Sequence, residues 1–422
     1  MKFINGNSAV KKEMLERFIA YVKTYTTSDS VRADQGIQPS TDRQVDLAKT
    51  IVSEMKAIGL SDVQITEHCY VYGCLSPSSG AEKAEPVCLI AHMDTAGEVT
   101  GENVKPDIIE KYDGSVICLQ CNVTLDPLQD KALLQAAKEK DTIITTDGTT
   151  LLGADDKAGI AEIMSAVSFL KNNPQIRHGK IEIIFSPDEE TGHGTDNFPF
   201  KLLSSKRAYT VDGGHIGELE DECFNAFKSD ITFTGHSVHT GTAREGKMVN
   251  AISMASSFVS NLPRQEAPET TDRLEGFYAP LELSGSIEES RIMLLLRDFT
   301  MEGMEKRKAF VDELANTTAH AFGGSVQVVH TQQYLNMKQK LNEHPEVVND
   351  LYKAFECAGI VPVNNPIRGG TDGSRLTEMG IPTPNIFTGG HNYHSRSEWV
   401  SVSQMMCAVE VLVQLAAIIG EK

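Results

Sequence analysis

Residues 180–187 read KIEIIFSP and are followed at once by Asp188, Glu189 and Glu190. Ile181, Ile183, Ile184 and Phe185 crowd both faces of this run, the density of a strand buried on both sides. Such a strand needs a layer of structure over each face. Three carboxylates at its mouth repel one another, so either a positive charge holds them there or one keeps a proton. The plain alternative is a solvated acidic turn.

Similar apolar runs recur at 87–94 (VCLIAHMD) and 208–214 (AYTVDGG), with a long helical pattern at 155–173 between the first two. Upstream, Val10, Met14, Phe18 and Val22 keep helical spacing within 8–25. Thr41 followed by Gln44 reads as a capping box opening a helix that stops near Gly59. Strands alternating with helices predict an α/β domain with a mostly parallel sheet flanked by helices.

From Phe224 the pattern changes. Strand, helix, two strands, helix and strand follow over 224–338, the β-α-β-β-α-β order of a ferredoxin-like α+β module. The α/β pattern then resumes with a helix at 345–358, a strand in TPNIFTGG and a helix at 401–419. We therefore expect a discontinuous domain, 1–223 and 339–422, carrying an inserted module at 224–338. A chain of 422 residues is long enough for that arrangement.

The net charge of −19 argues against nucleic acid or an anionic membrane as the main partner. No uninterrupted apolar stretch has the length of a membrane span. The opening segment carries Glu13 and Glu16 and does not read as a signal peptide. Eight scattered cysteines form no disulfide framework and fit thiols in a cytoplasmic protein, and the CxxC at Cys118 and Cys121 has no second pair at zinc-site spacing.

Candidate ligands fall where apolar runs end. They are His92 and Asp94, Asp155 and Asp156 before a helix, Glu189 and Glu190, Asp212, and His394 with Glu398. Each cluster alone has an ordinary reading: a satisfied His–Asp pair, a helix cap, a solvated turn. Together, at the carboxyl ends of strands, they make a mixed nitrogen and oxygen set suited to zinc, manganese or cobalt.

The motifs TLLGADDKAGIAEIM (150–164), YTVDGG (209–214), GTAREGKMVNA (241–251), PIRGGTDGS (366–374) and FTGG…NYH (387–394) make the resemblance specific. The chain resembles the co-catalytic di-zinc exopeptidase family that includes aminoacylases and glutamate carboxypeptidases, and within it the branch that removes the first residue of tripeptides. The resemblance runs over nearly the whole chain. It implies that His92 and Asp212 bind one zinc, Glu190 and His394 the other, and that Asp155 bridges the two. It implies that Asp94 orients His92 and that Glu189 is the general base for water activated by the metals. His239, on the inserted lid and dimerisation domain, would stabilise the oxyanion. Asn250, Arg297 and Arg368 would grip the peptide, and a homodimer acting on short peptides is expected. Asp188 is left over and is expected to be structural.

His391 stands where that branch commonly has an aromatic residue, and HSRSE replaces its glycine-containing form, although His394 keeps the four-residue spacing to Glu398. The stretch 69–86 departs most and reads as a surface loop. Sibling chemistries on the same metals are N-acyl amino acid deacylation and carboxypeptidase action. A two-metal phosphoesterase would want a glycine-rich phosphate cradle, which the sequence lacks. A non-catalytic metal or peptide-binding protein would be expected to have lost ligands or the base, and the full set is present.

Overall fold

Side chains of Ile181–Ser186 alternate between two apolar layers. Ile181, Ile183 and Phe185 join one buried cluster, while Ile184 joins another on the opposite face. Val87–His92 divides the same way, Leu89 and Ala91 on one side, Cys88 and Ile90 on the other. The first layer is built by Phe18, Ile51, Ile163, Phe355 and Leu412 from five helices, Ser8–Val22, Gln44–Ile58, Ala154–Asn172, Pro345–Ala358 and Val402–Gly420. The second is thinner and includes Phe198, Leu376 and Ile381.

The computed structural model describes residues 2–4 and 6–422; of the opening segment, Met1 and Asn5 lie outside the described residues. The chain separates into two compact units. The first runs through Asp221 and adds Lys340–Asn364 and Thr371–Lys422; the second comprises Glu222–Gln339 and Asn365–Gly370. Residues 365–370 were expected with the α/β portion. They pack with the second unit because the Arg368 guanidinium donates to the main-chain oxygens of Arg273 and Glu275 and to Thr271 Oγ1.

The first unit holds a seven-stranded sheet in the order Ser61–Ile65, Val71–Leu75, Ile181–Ser186, Val87–His92, Ala208–Gly213, Asn385–Phe387, Leu219–Glu220. The four strands from Ile181–Ser186 to Asn385–Phe387 run parallel. Both flanks are antiparallel. Their carboxyl ends therefore open on one edge, where loops converge. A second small sheet pairs Gly390–His391 with Trp399–Ser401, so residues 392–398 form the loop of a hairpin.

Three expectations need correction. Val71–Leu75, inside the supposed surface loop, is a fully buried strand. Its Gly73 hides it from pattern reading, yet the glycine makes room for Met55, whose sulfur would lie 2.7 Å from a Cβ there and would have to shift. The capping box at Thr41 does not form. Arg43 precedes the helix with no side-chain cap, and Thr41 Oγ1 donates to the Thr27 carbonyl instead. Finally, Val402–Gly420 is long and apolar enough to cross a membrane by length and composition, but most of it is buried in the core. Its Glu410 accepts the amides of Phe3 and Ile4.

The second unit is an antiparallel sheet in the order Phe277–Gly285, Glu289–Asp298, Asn225–Thr234, Ser325–Tyr334. Helices Ala251–Ser260 and Met301–Phe322 cover one face through Met254, Phe258, Met304 and Val311 against Ile231, Phe233, Leu294 and Leu296. This is the expected ferredoxin-like order.

Candidate active site

His92 ends its strand, Asp212 sits one residue from the end of the next, and Glu189 and Glu190 follow the third. Because those strands are parallel neighbours, all reach the same edge. Asp155 arrives just before the regular part of helix Ala154–Asn172, where Asp155 and Asp156 have non-helical dihedrals. His394 comes from the hairpin loop beyond the fourth parallel strand, at φ 58°.

The Asp155 carboxylate is shared by two imidazoles. Oδ1 lies 2.8 Å from His92 Nε2, and Oδ2 lies 3.1 Å from His394 Nε2. Each imidazole has a second carboxylate, Asp212 at 3.5 Å from His92 and Glu190 at 3.0 Å from His394. The five expected ligands are thus brought together. Asp156 also has an oxygen close to His92 and Asp212, but its carboxylate already accepts the amides of His92 and Gly159, each at 3.2 Å. It is the helix-capping member of the pair.

Asp94 does more than orient an imidazole. His92 Nδ1 faces the Asp94 main-chain oxygen at 3.1 Å and its carboxylate at 3.4 Å. The same carboxylate accepts the amides of Glu189 at 3.0 Å and Glu190 at 3.2 Å. Glu398 plays a matching part for the Asp155 loop, accepting the amides of Leu152, Gly153, Ala154 and Asp155. Spacing alone had marked Glu398; its task was illegible because its partners are backbone groups.

So many carboxylates in one buried place cannot all be ionised without compensating charge. Burial, then Asp155, pushes Glu190 up to about 8 against the pull of His394. Burial pushes Asp212 up to about 6. Glu189 is driven well above the usual range by burial, with Asp212, Asp372 and Glu190 adding to it against His92. Conversely, hydrogen bonds to Asp155 and Glu190 push His394 up to about 11. Burial would lower His92, but Asp212, Asp155 and Asp94 carry it well above the usual imidazole range.

These residues fit two divalent cations. Glu190 Oε1 is buried with no partner among the described residues, a vacant acceptor beside His394. Cations would take the place of the protons that the cluster must otherwise hold, and the donor set of imidazole and carboxylate suits borderline metals.

Sequence reading missed Asp372, which lies buried with Oδ2 accepting from Ser186 Oγ at 2.6 Å. Ser186 pairs with His92 in the sheet, which brings Asp372 to the site; burial pushes it up to about 7, with Asp212 and Asp94 adding to it against Ser186 and His92. Its only signal was its place in GGTDGS.

The other expected residues lie in the second unit. His239 is exposed, and its Nδ1 accepts the Gly241 amide at 3.1 Å, which places the proton of the neutral ring on Nε2. Asn250 caps helix Ala251–Ser260, accepting the Ile252 amide at 2.9 Å. Arg297 is buried and donates to the carbonyls of Leu296 and Phe227. Arg368 stacks over Phe224 and Phe277 in addition to its three hydrogen bonds. These bonds use Nη1 of Arg297 and three of the five N–H groups of Arg368, so each guanidinium has further donors.

Residues 145–418 match the family described as Peptidase family M20/M25/M40. A peptidase T from Clostridium perfringens is 46% identical over 413 residues, covering 97% of this chain and all of the relative. Among solved structures, aminopeptidase PepT from Bacillus cereus superposes with a TM-score of 0.75 at 23% identity, covering 97% of this chain and 98% of that one. A dinuclear metal binding peptidase of the M20 family from Bacillus subtilis gives 0.68 at 14% identity over 98% and 99% of the two chains. With a family match over more than half its length and near-complete alignment to peptidase T, the chain belongs to peptidase family M20/M25/M40 and to the peptidase T group within it.

Proposed function

We propose that this peptide hydrolase is a two-zinc aminopeptidase that releases the first residue of short peptides, tripeptides above all, as a cytoplasmic homodimer. The observation that carries the metal chemistry is the Asp155 carboxylate, divided between two imidazoles that each have a carboxylate of their own. The tripeptide preference is supported by the relatedness to peptidase T.

In this reading His92 and Asp212 would hold one cation and His394 and Glu190 the other, with the Asp155 carboxylate shared between the two sites. Such a pair would supply Lewis-acid polarisation of the scissile carbonyl and a more acidic water. Glu189 accepts the proton of the attacking water on its carboxylate and returns it to the departing amine. Burial and the neighbouring carboxylates favour the protonated form of Glu189, and divalent cations held by the cluster would favour its carboxylate, the form a base needs. Asp94 fixes the backbone from which Glu189 and Glu190 diverge. His239 donates from Nε2 to the developing oxyanion. Asn250, Arg297 and Arg368 would grip the peptide from the second unit, which acts as lid and dimerisation domain.

Free tripeptides, dipeptides, N-blocked tripeptides and N-acyl amino acids compared as substrates of zinc-loaded wild type and Glu189→Gln test the proposal. We expect cleavage of free tripeptides and, in the variant, retained metal with turnover lowered about 10²- to 10⁴-fold. Preference for N-acyl amino acids would move the assignment to a deacylase; full activity in Glu189→Gln would remove the base.

A further inference from the structure

Asp188, the carboxylate left over by the site, is fully buried together with Ser40 and Gln44. Gln44 and Asp188 exchange two hydrogen bonds: Gln44 Nε2 donates to Asp188 Oδ1 at 2.6 Å, and the Asp188 amide donates to Gln44 Oε1 at 3.2 Å. Ser40 adds its amide to Asp188 Oδ2 at 2.7 Å and its hydroxyl to Oδ1. Asp188 itself takes the left-handed conformation, φ 58°, where aspartate is tolerated better than most residues. The next two amides, of Glu189 and Glu190, go to Asp94. Three successive backbone N–H groups are therefore each claimed by a buried side chain. The turn that sends Glu189 and Glu190 in different directions is fixed from two sides.

We propose that Gln44, acting with Ser40 through Asp188, is a positioning residue for Glu189. This rests on the reading of Glu189 as the base. An apolar anchor would satisfy packing alone, but it would leave the buried Asp188 amide without its partner and its carboxylate with the Ser40 donors only. The reciprocal pair fixes both the peptide plane and the carboxylate of Asp188. Because the plane of residue 188 sets the direction of residue 189, the aim of the base follows from a side chain 144 residues away in sequence. The segment holding Gln44 is anchored in turn, since Ser40 Oγ accepts the Asp29 amide at 2.9 Å and Thr41 bonds to the Thr27 carbonyl.

The test uses the full-length, zinc-loaded protein with Gln44→Leu, the milder Ser40→Ala, and Tyr72→Phe as a control that removes a buried hydroxyl bonded to Glu182 at 3.0 Å. Tripeptide kinetics, metal content and backbone amide exchange are read for each. In Gln44→Leu we expect kcat lowered about 10- to 100-fold with metal content retained, and KM within about 2-fold of wild type, as for an interaction that matters after binding. Ser40→Ala should fall between this variant and wild type. Amide exchange at Glu189 and Glu190 should accelerate in Gln44→Leu relative to the strand Val87–His92, and Tyr72→Phe should lose stability without change in kcat or in that exchange. A folded, metallated Gln44→Leu with wild-type kcat overturns the proposal, as does activity lost only in step with metal. If wild type cleaves no peptide, the functional reading fails separately; unchanged exchange at Glu189 and Glu190 would then sink the positioning proposal on its own.

Discussion

His92 and Asp94 stand two residues apart at the mouth of one strand, with His92 Nδ1 3.4 Å from the Asp94 carboxylate. That carboxylate also receives the amides of Glu189 and Glu190, so the proposed ligand His92 and the loop of the proposed base share one support. In Asp94→Asn the amide group keeps only one acceptor, and its NH2 must face a donor. Metal affinity should fall about 10- to 100-fold. Turnover should stay low when zinc is saturating, because the base loop is disturbed as well. Metal titration followed by kcat at saturating zinc checks this; full recovery would reduce Asp94 to an orienter of His92.

Glu398→Gln should act on stability. Four amides converge on the Glu398 carboxylate, and glutamine would turn an NH2 towards some of them. Hydrogen bonds to a charged group contribute about 1.5–3 kcal/mol each, so the variant should lose at least one such increment. Urea unfolding of wild type and variant measures the loss, and unchanged unfolding would count against the carboxylate as the anchor of the Asp155 loop.

Chelation should reverse the pH dependence of stability. In the metal-free protein burial, then Asp155, pushes Glu190 up to about 8, from 4.5 in the unfolded chain. The unfolded chain releases this proton first, so the stabilisation is full below 4.5 and is lost as pH rises to about 8. His394, pushed up to about 11 from 6.5 by Asp155 and Glu190, works in the same direction over its own window. Zinc needs deprotonated ligands and should stabilise increasingly over that range. Melting curves with chelator and with excess zinc should diverge as pH rises, and Glu190→Gln should flatten the chelated slope.

Asn250→Ala separates a helix cap from a substrate contact. The cap bond to the Ile252 amide predicts a loss of about 1 kcal/mol in stability, and the proposed grip on the peptide predicts a rise in KM for tripeptides beside it. The stability loss with KM unchanged would leave Asn250 a helix cap alone.

The double-faced density of residues 181–186 and the β-α-β-β-α-β order were legible because each is written in consecutive residues. So were the ligand clusters, since polar residues at the ends of apolar runs stand out. The strand Val71–Leu75 was not legible: Gly73 reads as a loop signal until the Met55 sulfur packed against it is in view. Gln44 was misread for a related reason. Its spacing from Thr41 fits a local cap, but a carboxylate on the DEE turn competes for its side chain and wins. The work of Glu398 is likewise invisible in sequence, being done on main-chain amides.

The distance along the chain between Asp155 and its support also bears on how the protein is made. Glu398 lies 243 residues after Asp155, and Asn385–Phe387 pairs with a strand that precedes the whole second unit. A growing chain emerges with His92, Asp155, Glu190 and Asp212 long before it has His394 or Glu398. Such non-local closure is slow to reach. Until it occurs, the earlier members of the proposed ligand set lack both the last imidazole and the carboxylate that gathers the Asp155 loop. On that ligand set, full-affinity metal uptake would follow the arrival of the final segment, and chains interrupted before His394 are expected to bind metal weakly.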